Sequence, residues 1–144
     1  MEPIHHRIFA QRSGTSSHTQ AVAKYVRYYM DIQSTELGNF PPVESAAKVM
    51  QQIIYSNAGR LGASMMCSGW DPYKGYQIYS VNQTGFFTEG DFAMSGSGTV
   101  FIKGYFDANY NPNMSLEQAK EFMKSTISLA CYRDSSSGGI IRML

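Results

Sequence analysis

The residues best suited to chemistry in this chain are one aspartate and three serines between a helix-like segment and an apolar run. They occupy residues 134–139, Asp-Ser-Ser-Ser-Gly-Gly, after a predicted helix that ends at Arg133 and before a strand-like run that starts at Ile140. A carboxylate and three hydroxyls at one corner supply a charge and several hydrogen-bonding groups. The glycines let the backbone turn sharply. Such a corner either orients a catalytic group or caps and turns a helix.

A second corner, Gly-Ser-Gly-Thr at residues 96–99, lies between a predicted strand and a predicted helix. Backbone N–H groups exposed at such a junction can bind an anion. The motif lacks the lysine and the spacing of a phosphate-binding loop, and it is not the G-x-S-x-G of a nucleophile elbow. Nucleotide binding and a serine nucleophile are therefore weak interpretations, and a plain glycine-rich turn is a strong alternative.

The sequence alone does not assign a role to the arginine and histidines near the start of the chain. Arg12, beside Gly14, is either a surface charge at a strand end or the cation of a substrate pocket. His5 and His6 are adjacent, so on a strand they would point to opposite faces and could not chelate one ion. We therefore predict no metal site there. The spacing of His18 does not support a Ser-His-Asp triad.

Composition narrows the class of protein. The chain has 144 residues, which is one domain's length, and a formal net charge of +1 with 16% charged residues. That balance gives no reason to expect a nucleic-acid or anionic-membrane partner. There is no apolar run of about 18 residues that would span a membrane. Cys67 and Cys131 are isolated in apolar segments, which predicts reduced thiols and a reducing compartment.

The first half of the chain predicts a strand and two helices. The strand covers Ile4–Ala10, with residues 12–14 as its exit, and a long helix follows from Thr15 to about Glu36. The predicted buried stripe of this helix consists of Ala21, Tyr25, Tyr28 and Ile32, broadened by Val22, Val26 and Tyr29. A second helix covers Pro42 to about Asn57. Its predicted buried face consists of Ala46, Val49, Met50, Ile53 and Ile54.

The second half predicts strands and then two more helices. A buried strand covers Leu61–Trp70, and a hairpin around residues 82–85 joins strands at 76–81 and 86–87. A short strand at 91–95 leads to the Gly-Ser-Gly corner, and a helix covers 99–110. The last helix begins with a capping box, Ser115 to Gln118. Its predicted core stripe consists of Leu116, Ala119, Phe122, Met123, Ile127 and Ala130. This order predicts an α+β fold, with antiparallel sheet covered by helix pairs on both sides.

Four motifs in this order resemble the β subunits of the 20S proteasome, and most closely the β1, caspase-like type. They are Arg-Ser-Gly at 12–14, Gly-Trp-Asp at 69–71, Gly-Ser-Gly at 96–98 and the segment 134–139. The resemblance extends over essentially all 144 residues. It implies a four-layer αββα sandwich of antiparallel sheets flanked by helix pairs, the fold of the N-terminal nucleophile (Ntn) hydrolases.

The resemblance also implies a threonine-type endopeptidase. In that family the mature chain starts at a threonine whose hydroxyl attacks the peptide carbonyl, with the α-amino group available as base. Ser97, Asp134 and Ser137 match the positions that hydrogen-bond and orient this threonine. Gly14 matches the residue whose backbone N–H stabilises the oxyanion.

Substrate-binding positions follow from the same resemblance. Arg12 matches the base of the S1 pocket, which favours an acidic residue before the cleaved bond. Ser16 and Thr19 match lesser positions in the pocket wall. Ser135 departs from the family, which commonly has glycine there, and we expect it to tighten the turn.

The resemblance places the family's first two strands, with the threonine, an aspartate and a lysine, before Met1, and its final hairpin after Leu144. We therefore expect residues 1–144 to be a single but incomplete β-type domain without its nucleophile, so that the enzymatic activity of this chain by itself stays open. The implied partners are other proteasome α and β subunits in stacked rings, and the implied substrate is unfolded polypeptide.

No cofactor, nucleic acid or membrane is implied by the resemblance. The implied process is ATP- and ubiquitin-dependent protein degradation in the cytoplasm and nucleus. The alternative function is that of a structural β subunit of the ring that is not catalytic.

Overall fold

The computed structural model describes every residue from Met1 to Leu144 and divides the chain into two units, Met1–Met94 and Ser95–Leu144. The first unit holds the sheet and two helices, and the second holds two further helices and the C-terminal segment. The predicted α+β class, with an antiparallel sheet and two helix pairs, is confirmed and is consistent with the Ntn-hydrolase sandwich. The organisation of residues 1–144 as a single domain stays a prediction. No helix has the length and apolar character needed to cross a membrane.

The sheet of the first unit has five antiparallel strands in chain order. They are strand β1 (Glu2–His5), strand β2 (Ile8–Gly14), strand β3 (Ala63–Asp71), strand β4 (Gly75–Val81) and strand β5 (Phe87–Glu89). Along strand β4 and the first half of strand β3, buried residues alternate with less buried ones, because successive side chains point to opposite faces. The buried residues of strands β3 and β4 that face the core include Ala63, Met65, Cys67, Tyr79 and Val81.

The start of the chain differs from the prediction of one strand at Ile4–Ala10. Two strands lie there, joined by a turn at His6 and Arg7, and residues 12–14 continue strand β2 instead of forming its exit. The turn is held by Arg7, whose guanidinium lies 4.7 Å from the Trp70 ring centroid and 5.7 Å from that of Phe40. The Arg7 carbonyl also accepts a hydrogen bond from the Trp70 N–H at 3.1 Å.

Two helices, α1 (Ser16–Leu37) and α2 (Val43–Ser56), pack on each other and on the sheet. The predicted face of α2 is confirmed, since Ala46, Met50 and Ile54 are buried and Val49 and Ile53 pack against the core. The predicted stripe of α1 is wrong for its tyrosines, which are exposed together with Ala21 and Ile32. The side that is buried consists of Thr19, Val22, Ala23, Val26 and Met30.

Asp71, at the end of strand β3, connects the sheet to the start of α2. Its Oδ2 accepts from the Val43 N–H at 2.9 Å and from Gln77 Nε2 at 2.7 Å. Its Oδ1 accepts from the backbone N–H groups of Tyr73 at 2.9 Å and Lys74 at 2.8 Å. Burial alone would raise the pKa of Asp71, but these hydrogen bonds outweigh it and lower the pKa below its ordinary value.

The second unit contains helices α3 (Thr99–Asn109) and α4 (Leu116–Arg133), which pack on each other partly through the stacked rings of Tyr105 and Phe122. The predicted capping box is confirmed. Ser115 Oγ accepts from the Gln118 N–H at 3.3 Å, and Gln118 Oε1 accepts from the Ser115 N–H at 2.9 Å. The predicted stripe of α4 is only partly buried, because Leu116 and Met123 are exposed while Ala130 is buried.

Two predicted strands, at 91–95 and from Ile140, are absent. A short apolar run forms a strand only beside a neighbouring strand that satisfies its backbone hydrogen bonds. Neither segment has such a neighbour, and Ile140 is 84% exposed. These two predictions were therefore wrong.

Candidate functional site

The polar corner after α4 is shaped by backbone hydrogen bonds. The Asp134 N–H donates to the Ala130 carbonyl at 2.8 Å, and the Ser137 N–H donates to the Asp134 carbonyl at 3.1 Å. The first bond continues the helical pattern for one residue, and the second closes a turn over residues 134–137. This geometry turns the chain back so that the side chains of Asp134 and Ser137 meet.

Within the second unit the structure brings together the three residues to which the resemblance assigned the orientation of a nucleophile. Ser97 Oγ donates to Asp134 Oδ2 at 2.7 Å, and Ser137 Oγ donates to the same oxygen at 2.6 Å. The other oxygen, Asp134 Oδ1, accepts from the Ser136 N–H at 3.1 Å. Asp134 is 7% exposed, whereas Ser97 lies at the surface. The Asp134 carboxylate is therefore a buried acceptor that orients two serine hydroxyls.

Hydrogen bonding sets the charge of this cluster. The hydroxyls of Ser137 and Ser97, and then the Ser136 N–H, lower the pKa of Asp134 below its ordinary value, against a smaller opposite effect of burial. Asp134 is thus ionised at neutral pH. Each serine hydroxyl has one hydrogen and gives it to Asp134, so each Oγ keeps only acceptor lone pairs for a further partner. The cluster is suited to receive hydrogen bonds from an amine or a hydroxyl.

The glycine corner at 96–98 lets the backbone approach the end of α4. Gly96 has a φ of 107°, in the region that favours glycine. A Cβ on Gly98 would lie 3.1 Å from Ser137 Oγ and 3.1 Å from the Ala130 Cβ. Ser97 thus lies between two glycines that a larger residue could replace only with strain or crowding. This close approach of the backbone keeps the Ser97 hydroxyl within reach of Asp134.

Arg12, in the first unit, is engaged by two side chains. Its Nη1 donates to Thr19 Oγ1 at 3.0 Å, and its Nε lies 2.7 Å from Glu2 Oε2. The Arg12 side chain is 29% exposed, so the guanidinium does not extend freely into solvent. Thr19 is buried and its hydroxyl donates to the Ser16 carbonyl at 3.0 Å, while the Ser16 hydroxyl accepts from Gln20 Nε2 at 2.8 Å. Three predicted pocket residues therefore lie along one hydrogen-bonded path.

Gly14 ends strand β2 in a conformation that requires glycine. Its φ is 108°, and a Cβ there would lie 2.3 Å from the Gly62 carbonyl oxygen. That oxygen accepts from the Thr15 N–H at 2.8 Å, and the Gly62 N–H donates to His18 Nδ1 at 3.1 Å. His18 thus fixes the junction between strand β2 and α1.

The predicted site residues fall into two groups, and each group lies within one unit. Ser97, Asp134 and Ser137 are together in the second unit, and the residues at 12–19 are together in the first. Glu2 and Arg27 were not among the predicted site residues, and they contact each other at 3.3 Å beside Arg12. No local motif marks these two residues, because they are far apart in the sequence. Glu2 lies on strand β1 and Arg27 on α1, and only the fold brings them together. No group of three or more His, Cys, Asp or Glu residues is placed to hold a metal ion.

Comparison with known proteins gives consistent matches. The family model described as "Proteasome subunit" matches residues 1–144. Proteasome subunit beta type-6 of Dictyostelium discoideum is 40% identical over 141 residues, which are 98% of this chain and 66% of that protein. Human proteasome subunit beta type-9 is 40% identical over 144 residues, 100% of this chain and 65% of that protein. Proteasome subunit beta type-1 of Saccharomyces cerevisiae is 36% identical over 141 residues, 98% of this chain and 65% of that protein. The chain thus spans just under two thirds of the length of these relatives.

Proposed function

This chain belongs to the proteasome subunit family, and we propose that it acts as a β1-type subunit of the 20S core particle that cleaves polypeptides after acidic residues. The relatives compared above are all named as β subunits. The proposed partners are the other α and β subunits of the stacked rings, and the proposed substrate is unfolded polypeptide. The proposed process is ATP- and ubiquitin-dependent protein degradation in the cytoplasm and nucleus, where the free cysteines would stay reduced.

The observation that carries this proposal is the acceptor cluster around Asp134. The ionised carboxylate of Asp134 accepts hydrogen bonds from Ser97 Oγ at 2.7 Å and from Ser137 Oγ at 2.6 Å. The two serine oxygens keep lone pairs that can accept a hydrogen bond from a partner. An N-terminal threonine offers the complementary groups, because its α-amino group and its hydroxyl both carry hydrogens. Holding the threonine in one orientation towards the peptide carbonyl speeds the reaction, because the reacting groups no longer have to find that geometry by chance.

In the proposed reaction the nucleophile is the hydroxyl of a threonine outside residues 1–144. Its proton passes to the α-amino group as the oxygen attacks the peptide carbonyl carbon, and the carbonyl oxygen becomes an oxyanion. The backbone N–H of Gly14 stabilises that oxyanion, a contribution typically worth about 2.7–4 kcal/mol for one donor. Ser97, Asp134 and Ser137 act through the threonine and are positioning residues.

Arg12 supplies the proposed preference for an acidic residue before the cleaved bond. A guanidinium binds a carboxylate through charge-assisted hydrogen bonds, which are stronger than those between neutral groups. The Thr19 hydroxyl supports this assignment, because it holds Arg12 Nη1 at 3.0 Å from within the protein.

The positioning role is tested with Ser137→Ala in the assembled particle, with Ser136→Ala as the matched control. Both variants remove one hydroxyl from the same turn, but only Ser137 uses its hydroxyl on Asp134, whereas Ser136 uses its backbone N–H. We expect kcat for this subunit's peptide substrates to fall about 100-fold in Ser137→Ala, the loss typical of a small misplacement of reacting groups. Ser136→Ala should stay within twofold of the wild type. Equal activities in the two variants would refute the positioning role.

The specificity is tested with Arg12→Met and with pairs of peptides that differ only in an acidic or an apolar residue before the cleaved bond. We expect the wild-type particle to prefer the acidic peptide and Arg12→Met to lose that preference while still cleaving the apolar peptide. An unchanged preference would remove Arg12 from the pocket. If no activity is traced to this subunit, and Ser137→Ala changes nothing, the structural, non-catalytic role is correct.

A further inference from the structure

We propose that Glu2 determines how strongly this subunit prefers acidic substrates, because its carboxylate is an internal ligand of Arg12 that competes with the substrate's carboxylate. This inference rests on the proposed function, since it takes Arg12 as the cation that receives the acidic side chain. Neither the motifs nor their spacing marks Glu2, and the inference comes from the contacts around Arg12.

Glu2 bridges two arginines, with one carboxylate oxygen directed at each. Its Oε2 lies 2.7 Å from Arg12 Nε, and its Oε1 lies 3.3 Å from Arg27 Nη2. Arg27 is itself fixed by the Pro3 carbonyl, which accepts from its Nη2 at 2.7 Å and its Nε at 3.1 Å. The backbone of strand β1 thus holds one arginine, and the Glu2 side chain links it to the other.

The pairing of strands β1 and β2 explains why Glu2 reaches Arg12. The two strands are antiparallel, and Glu2 lies opposite Ala10. Arg12 is two residues beyond Ala10, so it lies on the same face as Glu2 and diagonal to it. Diagonal neighbours in a sheet are about 7–8 Å apart at their Cα atoms, within reach of long side chains. The contact therefore follows from the register.

Charge and exposure make Glu2 a competitor and not a permanent partner. Two arginines and one glutamate leave this cluster with one net positive charge, which one substrate carboxylate can neutralise. The side chains of Arg12, Glu2 and Arg27 are 29%, 25% and 43% exposed, so water and a ligand can reach the cluster. Ion pairs with this exposure are weak enough to exchange.

The consequence is a moderated specificity. A substrate carboxylate that approaches Arg12 meets a guanidinium whose Nε is already occupied by Glu2, and it is also repelled by the Glu2 charge. When the substrate carries an uncharged residue, Glu2 still compensates Arg12, so that the cation is not left buried against an apolar side chain. Glu2 should therefore weaken the binding of acidic substrates and favour that of apolar ones.

The test is Glu2→Gln in the assembled particle, assayed with the acidic and apolar peptide pair. Glutamine keeps the length and an oxygen that can accept from Arg12, but it removes the charge. We expect KM for the acidic peptide to fall about fivefold, in the range expected for one partly exposed charge, with kcat unchanged. KM for the apolar peptide should stay the same or rise. Glu36→Gln, on the exposed end of α1, is the matched control and should change neither value.

Two further variants separate this inference from the proposed function. Glu2→Asp shortens the side chain by one methylene and should lower KM for the acidic peptide by less than Glu2→Gln does. In an Arg12→Met background, Glu2→Gln should have a much smaller effect, because the competition needs Arg12 and only the direct repulsion by Glu2 remains. If Arg12→Met removes the acidic preference while Glu2→Gln leaves KM unchanged, the inference about Glu2 is wrong and the pocket assignment stands. If neither variant alters the preference, the pocket assignment itself is wrong.

Discussion

Replacing Asp71 by asparagine should destabilise the first unit more than any surface change of the same size. The carboxylate of Asp71 accepts four hydrogen bonds, two on each oxygen, at 2.7–2.9 Å. Asparagine keeps one carbonyl oxygen, which can accept two of them, but its NH₂ group then faces the other two donors. One end of the side chain must therefore lose its partners whichever way the amide is turned.

The magnitude follows from those lost partners. A hydrogen bond to a charged group contributes about 1.5–3 kcal/mol, so that losing two costs about 3–6 kcal/mol. Asp71 is 1% exposed, which leaves little water to replace them. A whole domain is stable by only about 5–15 kcal/mol. With a urea m-value of about 1–3 kcal/mol/M, the unfolding midpoint should fall by about 2 M.

Urea unfolding of the purified chain measures this shift through Trp70, the only tryptophan of the sequence. Trp70 precedes Asp71 in strand β3, so its fluorescence reports on the affected strand. Asp91→Asn, at an exposed position of the same unit, is the matched control and should leave the midpoint within experimental error. A loss below about 1 kcal/mol in Asp71→Asn would show that the four hydrogen bonds do not support the fold as argued.

The dependence on pH gives a second check on Asp71. Its pKa is lower in the folded chain than its ordinary value of 3.8, so the unfolded chain binds more protons in that range. The stabilisation is complete above about pH 4 to 5 and is lost as the pH falls through the lower, folded pKa. The difference in the free energy of unfolding between wild type and Asp71→Asn should therefore shrink as the pH falls. A difference that grows would contradict this reasoning.

Three further changes test other parts of the structure. Gly14→Ala should destabilise the chain by at least about 1–3 kcal/mol in the same urea assay, since its φ is 108° and the new Cβ would contact the Gly62 carbonyl oxygen. Ser115→Ala removes the capping box of α4 and should reduce stability by about 0.5–2 kcal/mol, with faster amide exchange in the first turn of that helix. Burial raises the pKa of Cys67 to about 12, so iodoacetamide at pH 8 should label the partly exposed Cys131 while Cys67 reacts only after unfolding, as mass spectrometry would show.

Short sequence motifs predicted the caps and turns whose hydrogen-bond partners lie within a few residues of each other. The capping box at Ser115 and Gln118 formed as expected, because both partners lie in one helical turn. The hairpin turn at residues 82–85 also formed, with the Asn82 side chain accepting from the Thr84 and Phe86 N–H groups. The joining of Ser97 to Asp134 across 37 residues was expected from family resemblance and not from spacing.

Features that depend on tertiary packing were not predictable from the same signals. The predicted stripe of helix α1 combined the tyrosines with Val22 and Val26, and of that stripe only the two valines are buried. The buried side of α1 adds Thr19, Ala23 and Met30 to these valines, since small and β-branched side chains allow a helix to approach closely. The four bonds of Asp71 were missed because its partners are spread over strand, turn and helix.

The order of strands in the sheet has a consequence for synthesis on the ribosome. Strands β3, β4 and β5 are joined by short connections, whereas strands β2 and β3 are separated by residues 15–62, which contain α1 and α2. At about 5–20 residues per second, strand β2 waits roughly 2–10 s before the strand that completes its pairing has been made. During that time the edge of strand β2 that later pairs with strand β3 has no strand partner from its own chain, and an unpaired edge invites association with other chains. We expect nascent chains that end before residue 63 to bind chaperones, and chains that extend past residue 81 to bind them less.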